Sequence, residues 1–411
     1  MRVDAPAAVP RATAGSSRAA APSARSNTAP TPTHAADPAT APTPAVEGAR
    51  VAHLRIAVLS DAIPGRNGVG TYYDDLVQHL KDHVARVELF CPPKDRDAEG
   101  IHVRMPGDPT QSLHIPPLRK VWRRLSDLDP HIVLSGTPGV YGFLGMVKAM
   151  RLGVPFCFAH HTEYEKLADL YWEGRFGTLY RWTMTSWNSI LLKRARVVLV
   201  HNETLIEAVR ADGADAVELV GTPVSKLFLE KPLAPLEPEL GHVSYIGRLA
   251  PEKELGQLFA AVEAHPDVRF RIVGEGPLRE EVEAQARSHP NLEARGWVER
   301  HEVVDLLDDT GLLVLPSRYE TFGTAALEAL ARRRPALVSS KCGIAHWPDL
   351  ASGLFQMAPG EELTDALARV RALPADERLA VAERGRAAAR ELNSRTVSQI
   401  LEVLSAAARP A

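Results

Sequence analysis

Short apolar runs, each followed by a turn and a helical pattern, recur along the chain in two separate series. The first series is Leu54–Ser60, Arg86–Cys91, His131–Ser135, Pro155–Ala159 and Val197–Val200, with helical patterns over Thr71–Lys81, Ile115–Leu128, Val140–Leu152 and Phe176–Ala195. The second is His242–Ile246, Val268–Val273, Leu292–Gly296 and Gly311–Pro316, with helical patterns over Gly256–Ala264, Pro277–Ser288, Glu302–Asp308 and Gly323–Arg333. A helical stretch, Thr364–Ala408, follows. Runs of this kind read as strands buried on both faces, the signature of parallel sheets covered by helices. The segment between the series, Leu229–Leu240, holds three prolines and reads as a linker. The expected fold class is therefore α/β, with two doubly wound Rossmann-like domains facing a central cleft. The expected boundaries are a tail at 1–50, an N-terminal domain at 54–225, a linker at 226–240, a C-terminal domain at 241–385 and a last helix at 386–411.

Composition narrows the function. The net charge of −3 over 411 residues argues against a general nucleic-acid binder, which must neutralise many phosphates. Three widely spaced cysteines exclude a disulfide framework and a Cys-rich zinc site, and fit a reducing cytoplasm. No run of about 18 apolar residues is present, so no membrane-spanning helix is expected. Residues 1–50 hold 16 Ala and 8 Pro and no Leu, Ile, Phe, Tyr or Trp. Such a stretch buries too little apolar surface to offset chain entropy and is expected to be disordered. It lacks the apolar segment of a secretory signal; an organelle transit peptide shares its composition, and a solvated tail is preferred.

In open α/β sheets ligands sit beyond the carboxyl ends of strands, so the residues just after each run carry the functional information. After Gly311–Leu315 comes Glu320-Thr-Phe-Gly-Thr-Ala-Ala-Leu-Glu328. Backbone N–H groups of Phe322, Gly323 and Thr324 at a helix start form an anion site. Eight residues of helix place Glu328 about 12 Å from Glu320, the span of a sugar–diphosphate–ribose ligand; two acids at the end and surface of a helix are the plainer alternative. After His242–Ile246 come Gly247, Arg248 and Lys253, cations that suit a diphosphate. Val273-Gly-Glu-Gly-Pro277 places Gly274 and Gly276 where the backbone approaches closely; Arg279 at the third glycine position breaks the dinucleotide fingerprint. Arg295-Gly-Trp297-Val298 offers backbone to a base edge. Taken singly, each of these is an ordinary strand end.

Together, and in this order, the four pieces resemble the nucleotide-binding half of retaining family-four glycosyltransferases, which have the two-domain GT-B fold. The similarity runs over about residues 54–400. It implies that Arg248 and Lys253 contact the donor diphosphate, Glu320 the donor sugar and Glu328 the ribose. It also implies that the C-terminal helix packs back on the N-terminal domain. In the first domain Asn67-Gly68-Val-Gly70 is similar to family loops that close over the donor phosphates. Ala159-His160-His161-Thr162 is similar to the subset that glycosylates diacylglycerol or phosphatidylinositol lipids. By that match His161 lies near the donor sugar, while His160 bonds a loop. The implied catalytic set is His161, Arg248, Lys253 and Glu320. The implied donor-binding set is Gly68, Gly70, Gly247, Gly274, Gly276, Trp297, Phe322, Gly323, Thr324 and Glu328.

No metal is expected: His160 and His161 are adjacent without a third ligand, and His301-Glu302-Val-Val-Asp305 ends in Asp where a zinc motif needs His. The expected reaction is metal-independent transfer of a sugar, with retention, from a nucleoside-diphosphate sugar to a hydroxyl acceptor. No cofactor other than the donor is expected. The resemblance at His161-Thr162 implies a lipid acceptor, and Arg119-Lys-Val-Trp-Arg-Arg124 gathers four cations and a tryptophan that suit anionic headgroups at the inner face of the membrane. Equally, it fits a solvated helix face. A non-catalytic nucleotide-sugar-binding protein, a sugar-nucleotide epimerase and a dinucleotide oxidoreductase are the rival readings. Two segments depart from the family pattern: Gly221-Thr-Pro-Val-Ser225 and Ser340-Lys-Cys-Gly-Ile-Ala-His-Trp347.

Overall fold

The computed structural model describes residues 51–409 apart from 66–67, 94–98, 106–107, 162–173 and 238. The 1–50 tail, Asn67 and Thr162 lie outside the described residues. The first lobe runs β1 (Arg55–Leu59), α1 (Gly68–Leu80), β2 (Arg86–Phe90), β3 (Ile101–Met105), β4 (Asp108–Ile115), α2 (Leu118–Leu128) and β5 (Ile132–Ser135). It continues with α3 (Val140–Leu152), β6 (Phe156–His160), α4 (Gly174–Arg194), β7 (Val197–Val200), α5 (Thr204–Ala211) and β8 (Val217–Leu219); α6 (Lys226–Glu230) follows in the connection and packs Phe228 into the core of the second lobe. Its sheet has six parallel strands in the order β2-β1-β5-β6-β7-β8. Ile56 lies opposite both Val87 and Ile132.

The second lobe repeats the plan with β9 (His242–Ile246), α7 (Leu255–Ala264), β10 (Arg269–Val273), α8 (Arg279–Ser288), β11 (Leu292–Arg295), α9 (Arg300–Asp308) and β12 (Thr310–Leu315). Then come α10 (Thr324–Ala331), β13 (Ala336–Val338), α11 (Pro348–Ala351), β14 (Leu354–Gln356), α12 (Leu363–Ala372) and α13 (Ala375–Ala407). The strand order is β11-β10-β9-β12-β13-β14, again parallel. The buried runs 197–200 and 310–315 are covered throughout, as a sheet with helices on both faces requires.

Differences from the sequence reading have local causes. The antiparallel β3–β4 hairpin is absent from the sequence reading, although Ile101-His-Val-Arg-Met105 alternates apolar and polar residues as a half-buried strand does; β4 is polar and carries a proline. β8 and β14 are three residues each. The helical stretch 364–408 divides at Leu373–Pro374, because proline disfavours helix at the residue before it while serving well at a helix start; Pro374 is the N-cap of α13.

One helix joins the two cores. Val381, Ala389 and Leu392 of α13 pack in the core of the second lobe. Val397, Ile400, Leu401 and Leu404 pack in that of the first. At the crossing, the Val224 N–H donates to Asn393 Oδ1 at 2.8 Å, and a Cβ on Gly221 would lie 2.1 Å from Thr396 Oγ1. The Gly221–Ser225 turn thus serves the passage of α13.

The proline-rich segment is held to the second lobe by two buried arginines. Prolines offer carbonyls but no N–H, so this backbone needs outside donors. Arg332, fully buried, donates to the carbonyls of Lys231 and Pro232, each at 2.6 Å, and pairs with Asp308 at 2.7 Å. Arg334 donates to Pro235 O at 3.0 Å. Arg332→Met keeps the bulk but leaves Asp308 and two carbonyls unpaired; the expected loss is about 3–5 kcal/mol, read as a lower urea midpoint. An unchanged midpoint removes Arg332 as the staple.

Candidate active site

A crevice opens in a parallel sheet where the chain leaves a central strand in both directions. In the second lobe that strand is β9, flanked by β10 and β12. In the first it is β1, flanked by β2 and β5. The loop after β9 carries Gly247, Arg248 and Lys253; the loop after β12 carries Glu320. The structure brings them together. The Arg318 N–H donates to Glu252 O at 2.9 Å, tying the two loops. Lys253 Nζ forms an ion pair with Glu320. Arg248 pairs with Glu252 at 2.5 Å, and Tyr245 Oη donates to the Arg248 carbonyl at 2.7 Å.

Glycines set the tightness of this edge. Gly274 and Gly276 have φ of 148° and 157°. A Cβ on Gly274 would lie 1.8 Å from Gly247 O, and one on Gly276 2.2 Å from Leu249 O. Their close approach is to the neighbouring loop, which they hold in place. Gly323, φ 101°, is the N-cap of α10, and a Cβ there would meet Cys342 Sγ at 2.7 Å. Glu320 lies before that cap, in an isolated bridge with Cys342. Only Thr324 onward is helical, so the spacing of Glu320 and Glu328 is not eight helical rises. The Phe322 side chain is buried and its carbonyl accepts from Ile344 N at 2.6 Å; backbone alone is its offering to the cleft.

The first lobe faces this edge. A Cβ on Gly68, the first residue of α1, would meet Thr324 Oγ1 at 3.9 Å, so the starts of α1 and α10 oppose each other. Gly70 is confined by Ile63 O, 2.1 Å from where its Cβ would stand. Trp297 Nε1 donates to Gly65 O at 3.2 Å across the lobes. His161, just beyond β6, is buried with Nε2 2.8 Å from Tyr73 Oη. It stacks on His201 at 4.6 Å and meets Tyr72 edge-on at 4.7 Å. Burial, with His201 and His160 adding to it, holds its pKa well below the ordinary value. His161 is a neutral imidazole.

Arg300, Asp75 and His201 are absent from the sequence reading. Glu328, expected at the surface or on a ribose, is buried, and Arg300 Nη1 lies 2.8 Å from its Oε1. The other arm of Arg300 reaches Asp75 of α1 at 2.7 Å. Burial pushes the Asp75 carboxyl up to about 7 against the lowering pull of Arg300, and raises Glu328 in the same way. No motif marks Arg300 or Asp75. His201 was within reach, since it directly follows β7. Its carbonyl accepts from Trp347 Nε1 at 3.2 Å, so the atypical 340–347 loop leans on the first lobe. Gly343 of that loop sits where a Cβ would fall 1.8 Å from Thr321 O.

The family described as glycosyl transferases group 1 matches residues 235–387, and the glycosyl transferase 4-like domain matches residues 67–224. The chain belongs to these two-domain glycosyltransferases. Sulfoquinovosyl transferase SQD2 of Arabidopsis thaliana is 25% identical over 243 residues, 56% of this chain and 46% of that protein. A GDP-mannose-dependent alpha-(1-6)-phosphatidylinositol dimannoside mannosyltransferase of Mycobacterium tuberculosis is 41% identical over 100 residues, 23% of this chain and 26% of that protein. The match spans less than half the length of either relative. Sucrose-phosphate synthase of Thermosynechococcus elongatus superposes with a TM-score of 0.66 at 18% identity, covering 85% of this chain and 98% of that one. The fold is GT-B. Among the described residues no group of three or more His, Cys, Asp or Glu is placed to hold a metal, and no helix is long and apolar enough to cross a membrane.

His201 gives the glycosyltransferase a pH signature. Its Nδ1 lies 3.1 Å from Val220 O; a carbonyl only accepts, so Nδ1 carries the proton. Burial lowers the pKa to about 4. Above the ordinary value of about 6.5 both folded and unfolded chains are neutral here, and the stability is complete. As pH falls toward 4 the unfolded chain binds a proton that the folded one refuses. Between pH 7 and 5 wild type loses about 2 kcal/mol more than His201→Asn, which keeps a donor and does not titrate. Urea unfolding at the two pH values measures this; equal losses refute it.

Proposed function

We propose that the protein transfers a hexose from a nucleoside-diphosphate sugar to a hydroxyl of a membrane lipid, with retention at the anomeric carbon and without a metal. The observation that carries the reading is the convergence of Arg248, Lys253 and Glu320 beyond the ends of β9 and β12, with the start of α10 facing Gly68 in the first turn of α1; the expected glycine loop is helical from Gly68. In this reading Arg248, Lys253 and the N–H groups at Phe322, Gly323 and Thr324 meet the diphosphate, a preorganised electrostatic site. Glu320 takes sugar hydroxyls, and Glu328 takes the ribose. Gly247, Gly274 and Gly276 shape the loops beneath the nucleotide, and Trp297 borders its base. Neutral His161 hydrogen-bonds a sugar hydroxyl from the other lobe.

The chemistry is a substitution at the anomeric carbon. The bond to the phosphate oxygen breaks as the bond to the acceptor oxygen forms on the same face. The acceptor proton passes to the departing phosphate oxygen, so no side-chain base is required. The mannosyltransferase likeness favours a guanosine diphosphate donor. A thermal-shift screen against GDP-mannose, UDP-glucose and NAD tests the donor class, since a binder of the folded state raises its melting temperature. Stabilisation by NAD alone favours an oxidoreductase; turnover of donor to another nucleotide sugar without acceptor favours an epimerase. Undiminished transfer in EDTA supports the metal-free reading, and its abolition refutes it.

Arg248→Ala and Lys253→Ala are each expected to lower kcat about 10²–10³-fold, the effect of losing one group that meets developing charge. Native circular dichroism accompanies the loss. Unchanged kinetics in both variants overturn the assignment.

The lipid acceptor draws support from one face of the first lobe. Arg119 and Arg123 of α2 are exposed, as are Leu118 of α2 and Met150 of α3. Trp122 lies under Lys148 and Arg151 of α3, with the cations 4.5 and 5.0 Å from its ring, and Arg194 of α4 reaches Met150. Cations beside exposed apolar groups suit an anionic bilayer, at about 1 kcal/mol for each basic residue near its surface. The protein is expected to sediment with phosphatidylglycerol vesicles and not with phosphatidylcholine vesicles. Arg119→Glu with Arg123→Glu should abolish sedimentation; retention by that variant refutes this face.

A further inference from the structure

We propose that Arg300 is a positioning residue that clasps the two lobes: it holds Glu328 toward the nucleotide with one arm and draws α1, through Asp75, over the donor with the other. The proposal rests on the donor-site reading above. Arg300 opens α9 behind the N-cap Glu299, which shares a capping box with Glu302. Its backbone is therefore fixed before its side chain is used. The guanidinium lies over Phe228 with 4.9 Å to the ring centre, and Phe228 is fully buried in the core of the second lobe. Stacking on a ring and a planar fork suit Arg and not Lys.

The two carboxylates belong to different lobes. Glu328 sits in α10, whose first residue, Thr324, faces Gly68. Asp75 sits in α1, which begins at Gly68. Seven residues of helix separate Gly68 from Asp75, about 10 Å. Pulling Asp75 toward Arg300 therefore fixes how closely the first turn of α1 approaches the start of α10. The side chains of Asp75 and Glu328 are 6% and 7% exposed. Removing one partner of so enclosed a group leaves charge uncompensated. One guanidinium serves two acids, so the clasp exists only when both lobes meet.

Two halves of the clasp give two separable defects. Asp75→Asn replaces the charged acceptor by a neutral amide, which weakens the link to the first lobe, and leaves Arg300 on Glu328. Its affinity for the free nucleoside diphosphate, a ligand of the second lobe, should stay within about twofold, while kcat falls about 10–100-fold through misplacement of the facing lobe. Arg300→Ala should weaken nucleoside diphosphate binding as well. Arg300→Lys should restore that binding but not kcat, because a point charge lacks the fork.

The measurements are calorimetry with GDP and UDP, turnover with the full donor, and the interlobe distance by electron–electron resonance. Spin labels at Glu207→Cys and Glu281→Cys, both exposed positions, are read in a Cys91→Ser background, the other two cysteines being buried. Asp75→Asn should broaden the distance distribution. An unchanged distribution with unchanged kcat overturns the clasp. So does Asp75→Asn losing nucleotide affinity as severely as Arg300→Ala. If wild type binds neither nucleotide, the donor-site reading fails, and the distance distribution still decides whether Arg300 and Asp75 hold the lobes.

Discussion

Two parallel sheets form one site only if their carboxyl edges face each other, and α13 imposes that arrangement. A single helix of 33 residues contributes to both cores, and its rise gives it about 50 Å of reach. It is pinned where it crosses by Asn393 on the Val224 backbone and by Thr396 against Gly221. Arg332 and Arg334 hold the proline-rich segment to the second lobe. The connection between lobes is thereby reduced to the short turn at 221–225 and the crossing helix, and the cleft residues inherit their alignment from these two strands of chain.

The local parts of this design were open to the sequence. Fully buried parallel strands announce themselves as apolar runs, and the residues just beyond Ile246 and Leu315 are indeed the ones that meet. Arg248, Lys253 and Glu320 could be picked because each lies within a few residues of a strand end. The helix beginning at Gly323 was legible from its glycine and the apolar pattern behind it. These features depend on backbone physics within ten residues or so, which periodicity captures.

The unread parts depend on distance in space rather than along the chain. Asp75 and Glu328 are linked through Arg300, and while Glu328 belongs to a motif, nothing local at Asp75 or Arg300 differs from a surface charge on a helix. Continuous helix does not join Glu320 to Glu328, because Gly323 adopts a left-handed φ and Glu320 joins a bridge with Cys342; a helix start read from composition does not reveal where the cap falls. The glycines of Val273-Gly-Glu-Gly were recognised as sites of close approach, but the partner is Gly247 and Leu249 backbone. Periodicity reports that space is tight and not what fills it. The Trp347 contact to His201 belongs to the same class.

The charge arrangement at the cleft follows from these geometric facts. Lys253, at the end of β9, and Glu320, beyond β12, are joined in one ion pair, so the group assigned to phosphate and the group assigned to sugar position each other. Arg248 is aimed by Glu252, itself buried and tied through its carbonyl to Arg318. Cations held this way lose less freedom when they act on a diphosphate than free side chains would, which is the physical content of preorganisation. On the opposite wall His161 and His201 are kept neutral by burial. Among these residues, Arg248, Lys253 and Glu320 supply fixed charge from the second lobe, and His161 and His201 supply uncharged hydrogen-bonding groups from the first. That division matches the proposed ligand, which has a dianionic end and a hydroxylated end, and the two histidines owe their neutrality to burial.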